Sequence, residues 1–215
     1  MLNTIRSSSF SSRALLSAFA LGTSISIANA GLINAGFEDP IQSVDSWDYT
    51  ASGWVTMGDA GVFRPTNAAY FNGAYAGQQV GFVQSGWVYS TGTLRQTTND
   101  ILLAGQTYEF ATMVGRRLDN PLLPWQGYSM SLYAGAVLLV TANSPVDPGL
   151  GYWERASIQY TAEVGSLGIG DFLTVELTSY YGQTNFDDAS FGLVPAPSAS
   201  ALVLAGSLLA TRRRR

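Results

Sequence analysis

Residues 102–114 read LLAGQTYEFATMV. After an Ala104-Gly105-Gln106 turn, Tyr108, Phe110, Thr112 and Val114 alternate with Thr107, Glu109, Ala111 and Met113. That is the period of two that sends successive side chains to opposite faces of a strand. Glu109 marks the solvent face. The alternation is imperfect, as in a strand covered on both sides for part of its length.

The same texture extends in both directions. From Gly31 to Val194, short runs rich in Val, Thr, Tyr and Phe are separated by Gly, Asn, Pro and Asp clusters, which predicts strands over 32–37, 55–56, 79–84, 93–97, 107–114, 128–133, 136–141, 153–161, 173–179 and 185–193. Helices are nearly absent from this reading. In YSMSLYAGAVLLVTA, residues 128–142, two strand-like runs flank an Ala-Gly pair suited to a tight hairpin turn. The fold expected is an all-β, two-sheet antiparallel β-sandwich, or jelly roll. Irregular regions are expected over 40–76, which holds Trp47, Tyr49, Trp54, Tyr70 and Tyr75, and over 115–127, a long loop with an exposed Arg116-Arg117 pair and Trp125.

The 215 residues contain no cysteine and no histidine. Ser-His and Cys-His triads, imidazole zinc sites and the commonest neutral-pH general base are thereby excluded. A domain of this size can bury enough apolar surface to fold without disulfides. Residues 31–194 carry five arginines, no lysine and all fifteen carboxylates, a net charge of −10. Nucleic acid is therefore not expected as a partner, because phosphate binding needs a basic surface; divalent cations suit the charge better.

Both ends read as addresses. Residues 1–30 have a basic start (Arg6, Arg13), an apolar run and the small-residue site Ala28-Asn29-Ala30, the layout of a signal peptide engaging the Sec export machinery. Residues 195–215 combine Pro195-Ala196-Pro197, an apolar segment and Arg212, Arg213, Arg214 and Arg215. As a helix, residues 198–211 would reach about 21 Å against a hydrocarbon core of about 30 Å, short for a stable span.

Two carboxylate motifs flank the domain: INAGFEDP at 33–40 and TNFDDASFGL at 184–193. Period two puts Asp187 on the face of Ala189, Phe191 and Leu193, so it points inward at the strand's edge. A buried carboxylate requires a cation or several donors. Glu38 meeting Asp187 or Asp188 around one ion would give oxygen-only ligation, which favours Ca²⁺; the other reading is that the two aspartates cap a turn, half in water.

The N-x-G-F-E-x-P opening (Asn34 to Pro40), the L-x-A-G-x-x-Y element (Leu102 to Tyr108) and the closing DD-x-S (Asp187 to Ser190) resemble the galactose-binding-like jelly rolls of carbohydrate-binding modules. The resemblance implies a structural calcium held by Glu38 and Asp187 or Asp188. It makes Trp47, Trp54, Trp125 and Tyr128 candidate sugar platforms, since aromatic faces stack on pyranose rings, although most aromatics of a sandwich are core. The tail resembles the PEP-CTERM sorting signal, with Ala196 replacing the family's Glu, and implies processing by an exosortase in the membrane of a Gram-negative bacterium. Together these resemblances imply an exported, non-catalytic protein of the cell surface or extracellular matrix, associated transiently with the inner membrane and binding polysaccharide. The alternatives are a structural matrix protein without a ligand and a carboxylate-dependent glycan hydrolase.

Overall fold

The computed structural model describes residues 31–86, 90–119 and 124–195. Ten strands follow one another: β1 (Trp47–Asp48), β2 (Val55–Met57), β3 (Ala60–Phe63), β4 (Val80–Ser85), β5 (Thr93–Ile101), β6 (Thr107–Gly115), β7 (Gly127–Ala134), β8 (Val137–Asn143), β9 (Trp153–Thr161) and β10 (Phe172–Leu193). Among the described residues there is no α-helix. The strands form two antiparallel layers, one in the order β1-β3-β4-β10-β6-β9 and the other β2-β5-β10-β7-β8. The jelly-roll sandwich expected from the alternation is the fold.

One strand belongs to both layers. β10 is 22 residues long, pairs with β5 and β7 through residues 172–181, and with β4 and β6 through residues 182–193. The strands expected over 173–179 and 185–193 are parts of this one strand. Gly182 has φ 78, a left-handed conformation that favours glycine, and a Cβ there would lie 3.1 Å from the Trp125 backbone. It is the corner at which β10 changes sheets.

Alternation builds the core. Tyr108, Phe110 and Val114 of β6, Met130 and Leu132 of β7, and Leu173, Val175 and Leu177 of β10 are fully or almost fully buried in one cluster with Phe37, Leu94 and Phe186. Each such side chain contributes roughly 1.5–3 kcal/mol. Glu109 lies on the opposite face of β6, paired to Arg155 at 2.9 Å and accepting from Gln159 at 2.6 Å. The β7–β8 hairpin turns at Gly135, φ 55.

Three expectations change. Residues 32–37 form a turn rather than a strand: the Phe37 N–H donates to the Asn34 carbonyl at 3.0 Å, and both residues have positive φ. β1 and β3 arise where irregular structure was expected, since two to four residues are too short for a period to register. The Arg116-Arg117 pair is half-buried, each guanidinium lying over an aromatic ring. Of the end segments, Pro195 is exposed; Ala28, Ala30, Ala196, Pro197 and Arg212 to Arg215 lie outside the described residues.

Candidate functional site

A cleft of about 260 Å³ opens on the outer face of the β1-β3-β4-β10 sheet, lined by Trp47, Tyr49, Phe63, Phe82, Gln84, Arg117, Asp119 and Gln183. Strand register assembles it. Trp47 pairs with Phe63, Phe82 with Gly61, and Gln84 with Gln183. Gly61 lets the chain after β1 cross close above β3, because a Cβ there would stand 1.9 Å from the Asp48 carbonyl oxygen. That crossing brings Tyr49 edge-on to Phe82 at 6.0 Å between ring centroids. Phe63 and Phe82 form a buried base, whereas Trp47 and Tyr49 are exposed at 57 % and 51 %.

The polar end of the cleft is one ion pair. Arg117 donates to Asp119 through Nε at 2.7 Å and Nη2 at 2.9 Å, a two-point geometry that is stronger and more specific than a single contact. The hydrogen bonds from Arg117 hold the Asp119 carboxyl below its ordinary range, outweighing partial desolvation. The guanidinium also lies 4.4 Å from the Phe63 ring centre. Asp119 is thus an anion at neutral pH beside an aromatic wall.

A second carboxylate site lies at the end of the domain. Asp187 is fully buried because β10 bulges between Asp187 and Ser190, with Asp188 at φ 46. The bulge adds a residue and changes the parity of the strand. Phe186 before it and Ala189 and Phe191 after it all join the core, so Asp187 does not share their face, contrary to the simple alternation. It accepts from the Ala76 N–H at 2.9 Å and the Asp188 N–H at 2.7 Å. Desolvation raises its carboxyl to about 7, with Glu38 and Asp188 adding like-charge repulsion against those two hydrogen bonds.

Glu38 is exposed and accepts from the Gln78 and Gln79 N–H groups at 2.8 and 3.0 Å. A Cβ on Gly36 would lie 3.8 Å from Glu38 Cγ and 3.9 Å from Asp187 Oδ1, so the two acids flank one glycine. On Gly77 it would stand 2.0 Å from Glu38 Oε1. Asp188 is exposed, and no cluster of three or more potential metal-ligating side chains forms among the described residues.

Of the four aromatic candidates, the cleft contains Trp47 alone. Trp54 is 6 % exposed, packed 5.1 Å from Phe37 and donating to the Asn34 carbonyl at 3.3 Å. Tyr128 is fully buried, edge-on to Phe186 at 5.5 Å. Trp125 is half-buried, its Nε1 donating to Thr184 Oγ1 at 2.8 Å and its ring under Arg116 at 4.9 Å. Phe63, Phe82, Arg117, Asp119 and Gln183 were missed as site residues, since only strand pairing and the packing of the 116–119 segment bring them together.

A family model described as HpiC1-like, HpiC1 cyclase, matches residues 28–191. The chain belongs to the HpiC1-like cyclase family. Its fold is similar to an apo-form cyclase from Fischerella sp., at 22% identity and TM-score 0.67, over 79% of this chain and 99% of that one. A Stig cyclase, Fisc, from Fischerella sp. TAU in complex with (3Z)-3-(1-methyl-2-pyrrolidinylidene)-3H-indole is similar at 21% identity and TM-score 0.66, over 76% and 96% of the two chains. A cyclase from Fischerella sp. TAU in complex with 4-(1H-indol-3-yl)butan-2-one is similar at 23% identity and TM-score 0.65, over 77% and 96%. No curated protein matches the chain by sequence.

Family membership overturns the expectation of a non-catalytic protein, since this is a family of cyclases. The resemblance to carbohydrate-binding modules holds at the level of the β-sandwich. Absence of histidine and cysteine excludes the familiar hydrolytic triads, but it does not exclude catalysis by other side chains. That is why composition misled about catalysis.

Proposed function

We propose that this chain is a cyclase that binds a small aromatic substrate, an indole derivative, in the cleft of Trp47, Tyr49, Phe63 and Phe82 and closes a ring there. The observation that carries the reading is the pairing of this aromatic enclosure with a carboxylate held ionised by Arg117. The exposed rings of Trp47 and Tyr49 offer faces on which a planar ring stacks. Asp119 accepts a hydrogen bond from an indole-type N–H and stabilises positive charge that develops on the ring during cyclisation. Aromatic faces favour the same cation through their quadrupoles. Indole ligands in the related cyclase structures support this choice of substrate class.

Calorimetric titration with 4-(1H-indol-3-yl)butan-2-one tests the reading. Saturable binding is expected, weakened about tenfold in Trp47→Ala, the loss of one stacked aromatic surface. Absence of binding, or equal affinity in that variant, counts against the cleft as the substrate site.

A structural Ca²⁺ between Glu38 and Asp187 accompanies this reading. What supports it is a buried carboxylate beside a second one, with no cationic partner among the described residues, and oxygen ligands of the hard kind that calcium takes. Bound there, the ion would neutralise the pair and clasp the 36–38 turn and the Ala76 segment to β10. Export through the Sec machinery is likewise proposed on the N-terminal layout ending at Ala28-Asn29-Ala30; N-terminal sequencing of the mature protein checks it, with Gly31 as the first residue expected.

A further inference from the structure

We propose that Tyr70, Asn185 and Gln183 form a buried relay of hydrogen bonds that fixes Arg117 and, through it, the orientation of Asp119 in the cleft. The inference rests on the reading of that cleft as the substrate site.

Four side chains are joined end to end. Arg117 Nη1 donates to Gln183 Oε1 at 3.0 Å, Gln183 Nε2 donates to Asn185 Oδ1 at 3.3 Å, and Tyr70 Oη donates to the same oxygen at 2.9 Å. Asn185 Nδ2 closes the chain by donating to the Gly81 carbonyl at 3.3 Å. Tyr70 and Asn185 have no exposed surface, and Gln183 is 9 % exposed. The far end is anchored by stacking: the Tyr70 ring lies 4.5 Å from that of Trp153, whose Nε1 donates to the Gly73 carbonyl at 3.1 Å.

Polarity permits one arrangement. A guanidinium only donates, so Gln183 must present its oxygen to Arg117 and its NH₂ to Asn185. Asn185 then presents its oxygen to Gln183, sends its NH₂ to Gly81, and leaves Tyr70 to donate. Each amide is held by groups on both sides. With Nε and Nη2 engaged by Asp119, Nη1 by Gln183 and one face covered by Phe63, three of the five N–H groups and one face of the guanidinium are held. A row of apolar residues of similar shape could fill this space at little cost in stability, so stability alone gives no reason for a directional polar chain. Networks of this kind specify a single geometry. Here the geometry specified is that of Asp119.

Two variants test the relay. Gln183→Met removes its middle while keeping the volume; Tyr70→Phe removes only the distant hydroxyl, and Tyr70 does not line the cleft. Exchange of the Arg117 Nε–H with water, read by NMR and assigned through its loss in Arg117→Lys, should quicken about tenfold in Gln183→Met and severalfold in Tyr70→Phe, as loss of a charge-assisted and then a neutral hydrogen bond predicts. Affinity for 4-(1H-indol-3-yl)butan-2-one should weaken in the same order. Weakened binding in Gln183→Met with unchanged Arg117 exchange in both variants would overturn the relay, because Gln183 would then act by touching the ligand. Wild-type affinity and exchange in Tyr70→Phe would overturn it too. If the unsubstituted protein does not bind the probe, the cleft reading fails, and the exchange rates alone decide whether the relay fixes Arg117.

Discussion

Asp119 and Asp187 stand near opposite ends of one row of side chains, Gln183, Asn185 and Asp187 on β10, and their environments drive them in opposite directions. Asp119 is exposed at the rim of the cleft, beside a guanidinium that stabilises its charge. Asp187 is fully buried, held by two backbone N–H groups and repelled by two acids. One end of the row therefore meets a carboxylate fixed as an anion in an aromatic cleft, and the other holds one whose charge is costly unless a cation joins it. Burial alone does not decide a carboxyl's role; the charge beside it does.

The largest expected effect is at Asp187. Its carboxyl binds its proton up to about pH 7 in the folded chain against an ordinary value of 3.8, so the folded state holds more protons than the unfolded state between those limits. Without calcium, stability should fall as pH rises from about 4 to 7, by about 4 kcal/mol if the shift is realised in full. Thermal melts in EGTA across this range measure the slope. Millimolar Ca²⁺ should flatten it, because the ion favours the carboxylate, and Asp187→Asn should remove it. A midpoint that neither EGTA nor pH moves would break the contrast between the two aspartates.

At Asp119 the sign reverses. A depressed carboxyl contributes stability that is present above its unfolded value and lost as pH falls through the folded one. Arg117→Met should cost about 1 kcal/mol at neutral pH, the upper end for an exposed pair held in two-point geometry, and leave the pH 5–8 slope of the melts intact. A change of slope in that window would mean that the two ends of the row are electrostatically coupled.

The smallest effect sharpens the comparison from outside the row. Glu109 is also held below its ordinary range, by hydrogen bonds from Gln159 and Arg155, but Arg155 is 56 % exposed. Arg155→Ala should change stability by less than about 0.5 kcal/mol and vanish into the error in high salt. Equal losses in Arg155→Ala and Arg117→Met, read from urea unfolding, would show that burial of the cleft pair adds nothing.

The sandwich was legible because alternation is a local property. Tyr108, Phe110 and Val114 reveal the inner face of β6 whatever they pack against, and Trp153–Thr161 is a strand with the bounds its pattern predicts. The turn at 34–37 was not legible, since Ile33, Phe37 and their neighbours have the composition of a strand and positive φ leaves no pattern of side chains. Asp187 was legible as buried, but not its direction. A one-residue bulge reverses inside and outside, and nothing in the Asp-Asp pair announces it. Trp54 and Tyr128 looked as available as Trp47 because an aromatic residue carries the same apolar face in a core and in a cleft.

By itself the sequence determined an antiparallel β-sandwich, the lack of histidine and cysteine chemistry, and the burial of Asp187, all properties written in composition or in neighbours two residues apart. Tertiary structure decided which residues make a site. Trp47, Phe63, Phe82, Asp119 and Gln183 come from four strands and a connecting segment, and only pairing across the sheet gives them a common cleft. The sign of each carboxyl's shift was decided there too, because it depends on what lies within a few ångströms in space and not on what lies beside it in the chain.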